Sequence, residues 1–201
     1  MGKRIIFATK NEGKMVEIAV IMRDIGMPVV SMEAAGLAMD IVEDGVTFEE
    51  NALLKARAVA EIFPDDIVLA DDSGLEIDYL NGEPGVYSAR FAGRDTPYEE
   101  KNRILLEKLE GVADARRSAR FVCVIAAIFP DAGETVIRET IEGQIAHEIS
   151  GIHGFGYDPI FYVPKYHCTT AEMSPALKNE LSHRGKALRT INKMIEEKIG
   201  K

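Results

Sequence analysis

The stretch Ile67-Val-Leu-Ala-Asp-Asp-Ser-Gly-Leu75 decides how the rest of this chain is read. Ile67 to Ala70 is an unbroken apolar run with β-branched members, the pattern of a buried strand. Two adjacent carboxylates follow, Asp71 and Asp72, then Ser73 and Gly74. A hydrophobic strand that delivers acids at its C-terminal end is a common way for an α/β sheet to present a metal site. Asp-Asp-Ser-Gly is also good turn chemistry, and read alone the stretch favours a turn. The remainder of the chain reverses that balance.

Upstream, Lys3 to Thr9 reads as a first strand through Ile5, Ile6, Phe7 and Ala8. The polar loop Thr9-Lys-Asn-Glu-Gly-Lys14 follows, then a helical pattern with Met15, Ile18, Ala19, Ile21 and Met22 on one face. Asn11 is a candidate N-cap, and exposed amides at a helix start favour phosphate. The loop lacks the paired glycines of a P-loop, and an ordinary strand-to-helix turn with solvated lysines fits the spacing equally well. Pro28 to Met32 suggests a second short strand. A helix is expected from about Phe48 to Phe63, stopped by Pro64, with Thr47 and Glu50 as a capping box. Glu43 and Asp44 precede it and read locally as a solvated acidic turn.

Downstream, Leu75 and Ile77 continue as strand, and Asn81-Gly-Glu-Pro-Gly85 is strong turn punctuation. Pro97 opens a helix to about Leu109. Ala119 to Phe129 is nearly continuous apolar, a central strand covered on both faces. Pro130 to Gly133 makes a turn and Thr135 to Glu148 returns, so these two strands must be antiparallel and the sheet mixed. Gly151-Ile-His-Gly-Phe-Gly-Tyr-Asp-Pro159 allows close backbone approach and offers Phe155 as a face for a base, or is a glycine-rich turn with core aromatics. Ser182 is a candidate N-cap for a last helix carrying Ala187, Leu188, Ile191, Met194 and Ile195. Lys178, His183 and Arg184 lie before and inside its first turn, where basic residues oppose the dipole. They are easier to understand facing a ligand than serving stability.

Composition bounds the answer. The chain has 201 residues, 46% apolar and 28% charged, enough for one compact domain with a sizeable core and no visible internal boundary. A formal net charge of −9 argues against binding a nucleic-acid strand. It leaves room for one small anion held by local cations and a divalent metal. No apolar run reaches the ~18 residues of a membrane span, and the apolar run at the N-terminus is too short for a signal peptide. Cys123 and Cys168 have no metal-type spacing, and a cytoplasmic protein is expected.

Six segments now stand in order: Thr9 to Lys14, Thr47-Phe-Glu-Glu-Asn-Ala52, Ala70-Asp-Asp-Ser-Gly-Leu75, Pro84-Gly-Val-Tyr-Ser-Ala-Arg90, Gly154-Phe-Gly-Tyr-Asp-Pro159 and Ser182-His-Arg184. In this order and spacing the chain resembles the inosine triphosphatase family, the HAM1 or noncanonical purine nucleoside triphosphate pyrophosphatases, from residue 4 to about 195. His153 departs from the family, which often has glycine there. The resemblance implies a two-lobed α/β fold, a long central mixed sheet flanked by helices with an active-site cleft between the lobes. It implies hydrolysis of ITP, dITP or XTP to the monophosphate and pyrophosphate with Mg²⁺, by a homodimer. Carried over by position, Thr9, Lys10, Asn11, Glu12, Gly13 and Lys14 would hold the triphosphate. Glu43 and Asp72 would hold the metal, with Asp72 the proton acceptor. Ser73 would contact substrate, and Phe155, Gly156, Tyr157, Asp158, Lys178, His183 and Arg184 would surround the base and sugar.

The residue types suit that chemistry. Mg²⁺ with Lys14 and Lys10 can neutralise charge on a pyrophosphate leaving group. A carboxylate directly on Mg²⁺ is a poor base, so Asp72 either accepts a proton or orients a metal-bound water, with Asp71 or Glu43 helping. Arg184 or a protonated His183 can satisfy the 6-oxo group of inosine or xanthine while leaving adenine's amine unpaired. The rivals are a Maf-like pyrophosphatase of other nucleotides and a nucleotide-binding module without turnover. The second would need the acids replaced, and Glu43, Asp71 and Asp72 are all present.

Overall fold

A computed structural model describes residues 4–130 and 133–199. Lys3, at the start of the expected first strand, and the centre of the expected turn at 131–132 lie outside the described residues. The strands are β1 (Ile5–Phe7), β2 (Val29–Ser31), β3 (Ile67–Ile77), β4 (Ser118–Phe129), β5 (Gly133–Ile145), β6 (Phe161–Val163) and β7 (Cys168–Thr169). The helices are α1 (Glu12–Ile21), α2 (Phe48–Ala60), α3 (Tyr98–Lys108), α4 (Pro175–Leu181) and α5 (His183–Ile199). The strands form one sheet in the order β2-β1-β3-β4-β5-β6-β7. β1 is parallel to both β2 and β3, with Ile5 opposite Val29 and Ile67. β6 is antiparallel to β5 and to β7. The fold is therefore the α/β type with a mixed sheet flanked by helices that the sequence implied.

The chain divides into two compact units. The first comprises the described parts of Met1–Asp72, Cys123–Glu139 and Arg184–Lys201. Parallel strands need crossovers, and α1 supplies the one from β1 to β2. β1 is buried along its whole length, as its unbroken apolar sequence requires. Around it pack Ile18 and Met22 of α1, Leu69 of β3, Ile125 of β4, and Leu188, Ile191 and Ile195 of α5. The second unit is Ser73–Val122 and Thr140–His183. Its separate core gathers Leu75, Ile77, Leu105, Phe121, Ile160, Phe161 and Met173.

Local signals act as their chemistry dictates. The Asn11 side chain accepts from Lys14 N at the start of α1. Thr47 and Glu50 form the reciprocal capping box of α2. α2 stops at Ala60, earlier than Phe63, and the chain goes on through tight turns in which Ile62 N and Phe63 N both donate to Val59 O. One expectation needs correction. β3 does not end at Ala70 but runs to Ile77, so Asp71 and Asp72 sit inside the strand. A further helix, α4, capped by Ser174, precedes α5, and Ser182, in extended conformation (φ −65°, ψ 154°), stands in the N-cap position before α5. Cys123 is a buried free thiol, as its apolar context suggested, and Cys168 is free too. Among the described residues no helix is long and apolar enough to cross a membrane.

Candidate active site

The extension of β3 explains its two acids. Side chains alternate across a strand, so neighbours face opposite ways. Asp71 shares a face with Ile67 and Leu69, which belong to the first unit's core. There its carboxylate meets Lys14 at one oxygen and Arg184 Nε, at 3.0 Å, at the other, with Cys123 Sγ 3.7 Å away. Arg184 also binds Glu17 through Nη1 at 2.5 Å. Burial alone would raise the Asp71 carboxyl, but the charges of Lys14, Arg184 and Lys55 overcome it and hold it well below the usual carboxylate range. Asp71 is thus an ionised anchor for two cations.

Asp72, on the other face, is only 7% exposed. Its Oδ1 accepts from Lys55 Nζ at 3.0 Å, and the same ammonium donates to Glu43 Oε2 at 3.1 Å. The two acids expected to share a metal therefore converge on one nitrogen. α2 supplies that lysine and also shapes the loop bearing Glu43. Asn51 Oδ1 accepts from Gly45 N at 2.9 Å, and Glu50 Oε2 accepts from Val46 N at 2.7 Å. Burial works against the charge on Lys55, but Asp72, Glu43 and Asp71 outweigh it and raise its pKa, so it stays protonated. For Asp72 burial dominates: the carboxyl is raised despite the opposing charges of Lys55 and Lys14, and Glu43 adds to the rise. Its second oxygen, Oδ2, is buried without a hydrogen-bond partner among the described residues. An orphaned, buried carboxylate oxygen costs stability, and a cation would satisfy it. Among the described residues no three His, Cys, Asp or Glu side chains form a closed metal cage. Two carboxylates are nonetheless a common protein share for Mg²⁺ when substrate phosphates complete its shell.

The other first-unit candidates cluster at the start of α1. Thr9 Oγ1 accepts from Asn11 N at 3.1 Å, which shapes the turn into the helix. Glu12 lies in the first turn, Gly13 and Lys14 are half-buried behind it, and Lys10 extends into solvent to Asp40, at 2.7 Å.

The remaining candidates lie in the second unit, beginning with half-buried Ser73, which follows Asp72 in β3. Asp158 organises the loop around it. Its Oδ2 accepts from Phe155 N at 2.8 Å and Lys178 Nζ at 2.6 Å, and its Oδ1 from Thr170 Oγ1 at 2.8 Å. Gly154 has no room for a side chain, because a Cβ there would strike the Asp158 carboxylate. Lys178 Nζ also stands over the Phe155 ring, 4.9 Å from its centroid. Phe155 and Gly156 remain half-exposed, whereas Tyr157 is buried with its hydroxyl donating to Ser88 O at 2.7 Å. The Tyr157 ring therefore serves the core, and only its backbone can face a ligand. His183 is buried and stacks on Phe121, with centroids 5.0 Å apart. His153 is exposed and donates its backbone N–H to Ala171 O at 2.9 Å, so the departure from glycine costs the loop no contact.

The structure thus groups Lys14, Asp71 and Arg184, groups Glu43 and Asp72, and groups Phe155, Asp158 and Lys178. Arg184 and His183, adjacent in sequence and expected together at the base, have different partners. Sequence reasoning missed Lys55 and Glu17. A signal for Lys55 existed: it lies on the stripe Phe48, Asn51, Ala52, Ala56 and Val59 that α2 buries, where a lysine needs a partner.

Residues 5–194 match the Ham1 family. A dITP/XTP pyrophosphatase of Clostridium perfringens is 47% identical over 192 residues, covering 92% of this chain and 94% of that protein. One from Leuconostoc mesenteroides is 44% identical, covering 96% of each. Among solved structures, the Staphylococcus aureus Ham1 protein superposes with a TM-score of 0.87 at 43% identity, over 98% of this chain and 100% of that one. A HAM1 protein from Coxiella burnetii gives 0.87 at 42% identity, with the same coverage.

Proposed function

The chain belongs to the Ham1 family, and from that premise we propose that it hydrolyses noncanonical purine nucleoside triphosphates, ITP, dITP and XTP, to the monophosphate and pyrophosphate. The observation that carries this reading is the convergence of Glu43 and Asp72 on Lys55, with Asp72 Oδ2 left unbonded among the described residues. Relatives along nearly the whole chain are named dITP/XTP pyrophosphatases, which supports the same substrate class.

In this reading Glu43 and Asp72 hold Mg²⁺. The chemistry such an ion supplies when bound is neutralisation of phosphate charge and acidification of a water. Thr9 to Lys14 take the triphosphate, the amides of α1's first turn facing it and Lys14 opposing its charge. Asp71 keeps Lys14 and Arg184 in place, so it supports the site from the far face of β3 and is not a third metal ligand. Lys55 holds the two acids apart from each other's repulsion and can turn one donor toward a phosphate oxygen. Asp72 orients the attacking water. Ser73 contacts the substrate beside it. Phe155 stacks on the base, Gly156 and Tyr157 meet it through the backbone, and Asp158 and Lys178 keep that loop in shape. Arg184 is engaged by Asp71 and Glu17, so selectivity for an oxo-purine passes to His183 and the loop backbone. The chain works as one catalytic domain, in the cytoplasm, as a homodimer; light scattering tests the last point directly.

The deciding experiment is pyrophosphate release from ITP, XTP, dITP, GTP and ATP, with and without Mg²⁺. Rapid turnover of the first three, dependent on the ion, is expected. Equal rates on all five would overturn the substrate assignment, and preference for a pyrimidine triphosphate would favour the Maf-like alternative.

A further inference from the structure

The turn that carries Phe155 is closed by its own bond, Asp158 N donating to Phe155 O at 3.3 Å. Its central residues are Gly156, at φ +69°, and Tyr157, at φ −93° and ψ 6°. In such a turn the closing bond does not constrain the middle peptide. Turn types that differ by a flip of that peptide keep the flanking residues nearly in place. Glycine at the first central position admits the positive φ of this turn, and the flipped peptide would require positive φ at Tyr157 as well, which its side chain disfavours.

α3 reinforces that preference. Asn102, 2% exposed, donates from Nδ2 to the Gly156 carbonyl at 3.2 Å. Only the NH₂ end of the amide can donate, so this contact also fixes which way the Asn102 side chain points. The other end, Asn102 Oδ1, is buried without a hydrogen-bond partner among the described residues. Half-satisfied burial costs stability, and a leucine would fill the same space without that cost. Stability alone therefore does not explain the residue. One turn earlier on the same helix, Tyr98 meets Tyr157 edge-on, at 5.2 Å and 87°. With the Tyr157 hydroxyl on Ser88 O, both ends of that side chain are fixed. The C=O and N–H of a trans peptide point in opposite directions. With the carbonyl held toward Asn102, the Tyr157 N–H points the other way, and it meets no acceptor among the described residues.

We propose that Asn102 is a positioning residue for base selection: by gripping the Gly156 carbonyl it presents the Tyr157 N–H as a hydrogen-bond donor to an oxo-purine. An oxo group accepts from that donor, whereas an amino group would confront it with a second donor. The proposal rests on the purine triphosphate reading above.

The test compares Asn102→Leu and Asn102→Gln with the parent protein, using ITP and ATP. In the leucine variant the ratio of kcat/KM for ITP to that for ATP should fall at least ~10-fold, through KM for ITP with kcat nearly kept. Glutamine, which retains the donor, should recover part of it. An unchanged ratio, or a loss confined to kcat, would overturn the proposal. A second measurement needs no variant. Amide hydrogen exchange at Tyr157 should slow when inosine monophosphate binds the parent protein and much less with adenosine monophosphate. Equal exchange with both would overturn it as well. Absence of any purine triphosphate hydrolysis by the parent protein would instead overturn the functional reading, and the exchange comparison would still decide the role of Asn102.

Discussion

Two buried lysines, one in each unit, answer to acids in different ways. Lys178 Nζ sits on Asp158, whose two oxygens accept from Phe155 N, Lys178 and Thr170. That carboxylate is saturated, and a saturated acid holds shape. Lys55 Nζ sits on Asp72 and Glu43, and Asp72 keeps one buried oxygen without a partner among the described residues. That carboxylate is incomplete, and an incomplete one is available for chemistry. Burial and an ion pair look alike at the two places. The number of occupied lone pairs tells a structural acid from a reactive one.

The widest gap should appear when each acid is removed in turn. Asp72→Asn should lower kcat for ITP by ~10²–10⁴-fold with the melting temperature nearly unchanged, because Lys55 keeps Glu43. Chelation of divalent ions should silence the parent protein to a similar degree without unfolding it. Near-normal turnover by Asp72→Asn would put the reactive acid elsewhere. Asp158→Ala should do the reverse, leaving Lys178 buried and losing ~3–5 kcal/mol of stability. Urea unfolding reads this, and a stability equal to the parent's would show that the saturated shell is dispensable. Phe155→Ala is a smaller change, raising KM for ITP by the equivalent of ~1–3 kcal/mol of lost stacking. A KM that did not move would exclude Phe155 from the base.

The fourth effect is invisible in neutral buffers. The Asp71 carboxyl is held below its ordinary value, so its stabilisation is complete above the unfolded pKa of ~3.9 and is lost as pH falls through the lower folded value. Stability should therefore decline below about pH 4, and less steeply in Asp71→Asn, which has no proton to take up there. Parallel acid limbs for the two proteins would mean that Asp71 is not held ionised.

What the sequence disclosed was what local chemistry encodes. Asn11, Thr47 and Glu50 cap helices because their side chains reach only a few residues. The apolar runs of β1 and β4 became buried strands because nothing else could cover them. The family resemblance implied Glu43 and Asp72 together, and the chain brings them to one nitrogen. What stayed hidden depended on partners distant in sequence. Lys55 stands on the buried stripe of α2, but which acid it answers is not seen until Asp72, 17 residues on, is found beside it. Tyr157 looks like a ligand contact because it sits among glycines, but Ser88 and Tyr98 draw its ring into the core. Arg184 follows His183 in sequence, yet Glu17 at the opposite end of the chain claims it. Asp71 and Asp72 could have been separated on paper had the strand been carried past Ala70.

That continuity of β3 makes a change in length in this segment more disruptive than replacement of any one of its residues. Removing or inserting one residue just before Asp71 would invert the strand from that point on. A deletion would bring Asp72 to Lys14 and Arg184 and put Ser73 beside Lys55, and an insertion would bring Asp71 to Lys55 and leave Lys14 and Arg184 without an acid. Point replacements can weaken one role at a time, but a single frame-preserving indel here has no partial outcome. Deep indel scanning of the chain should accordingly find a short interval, centred on this acid pair, in which no active variant survives.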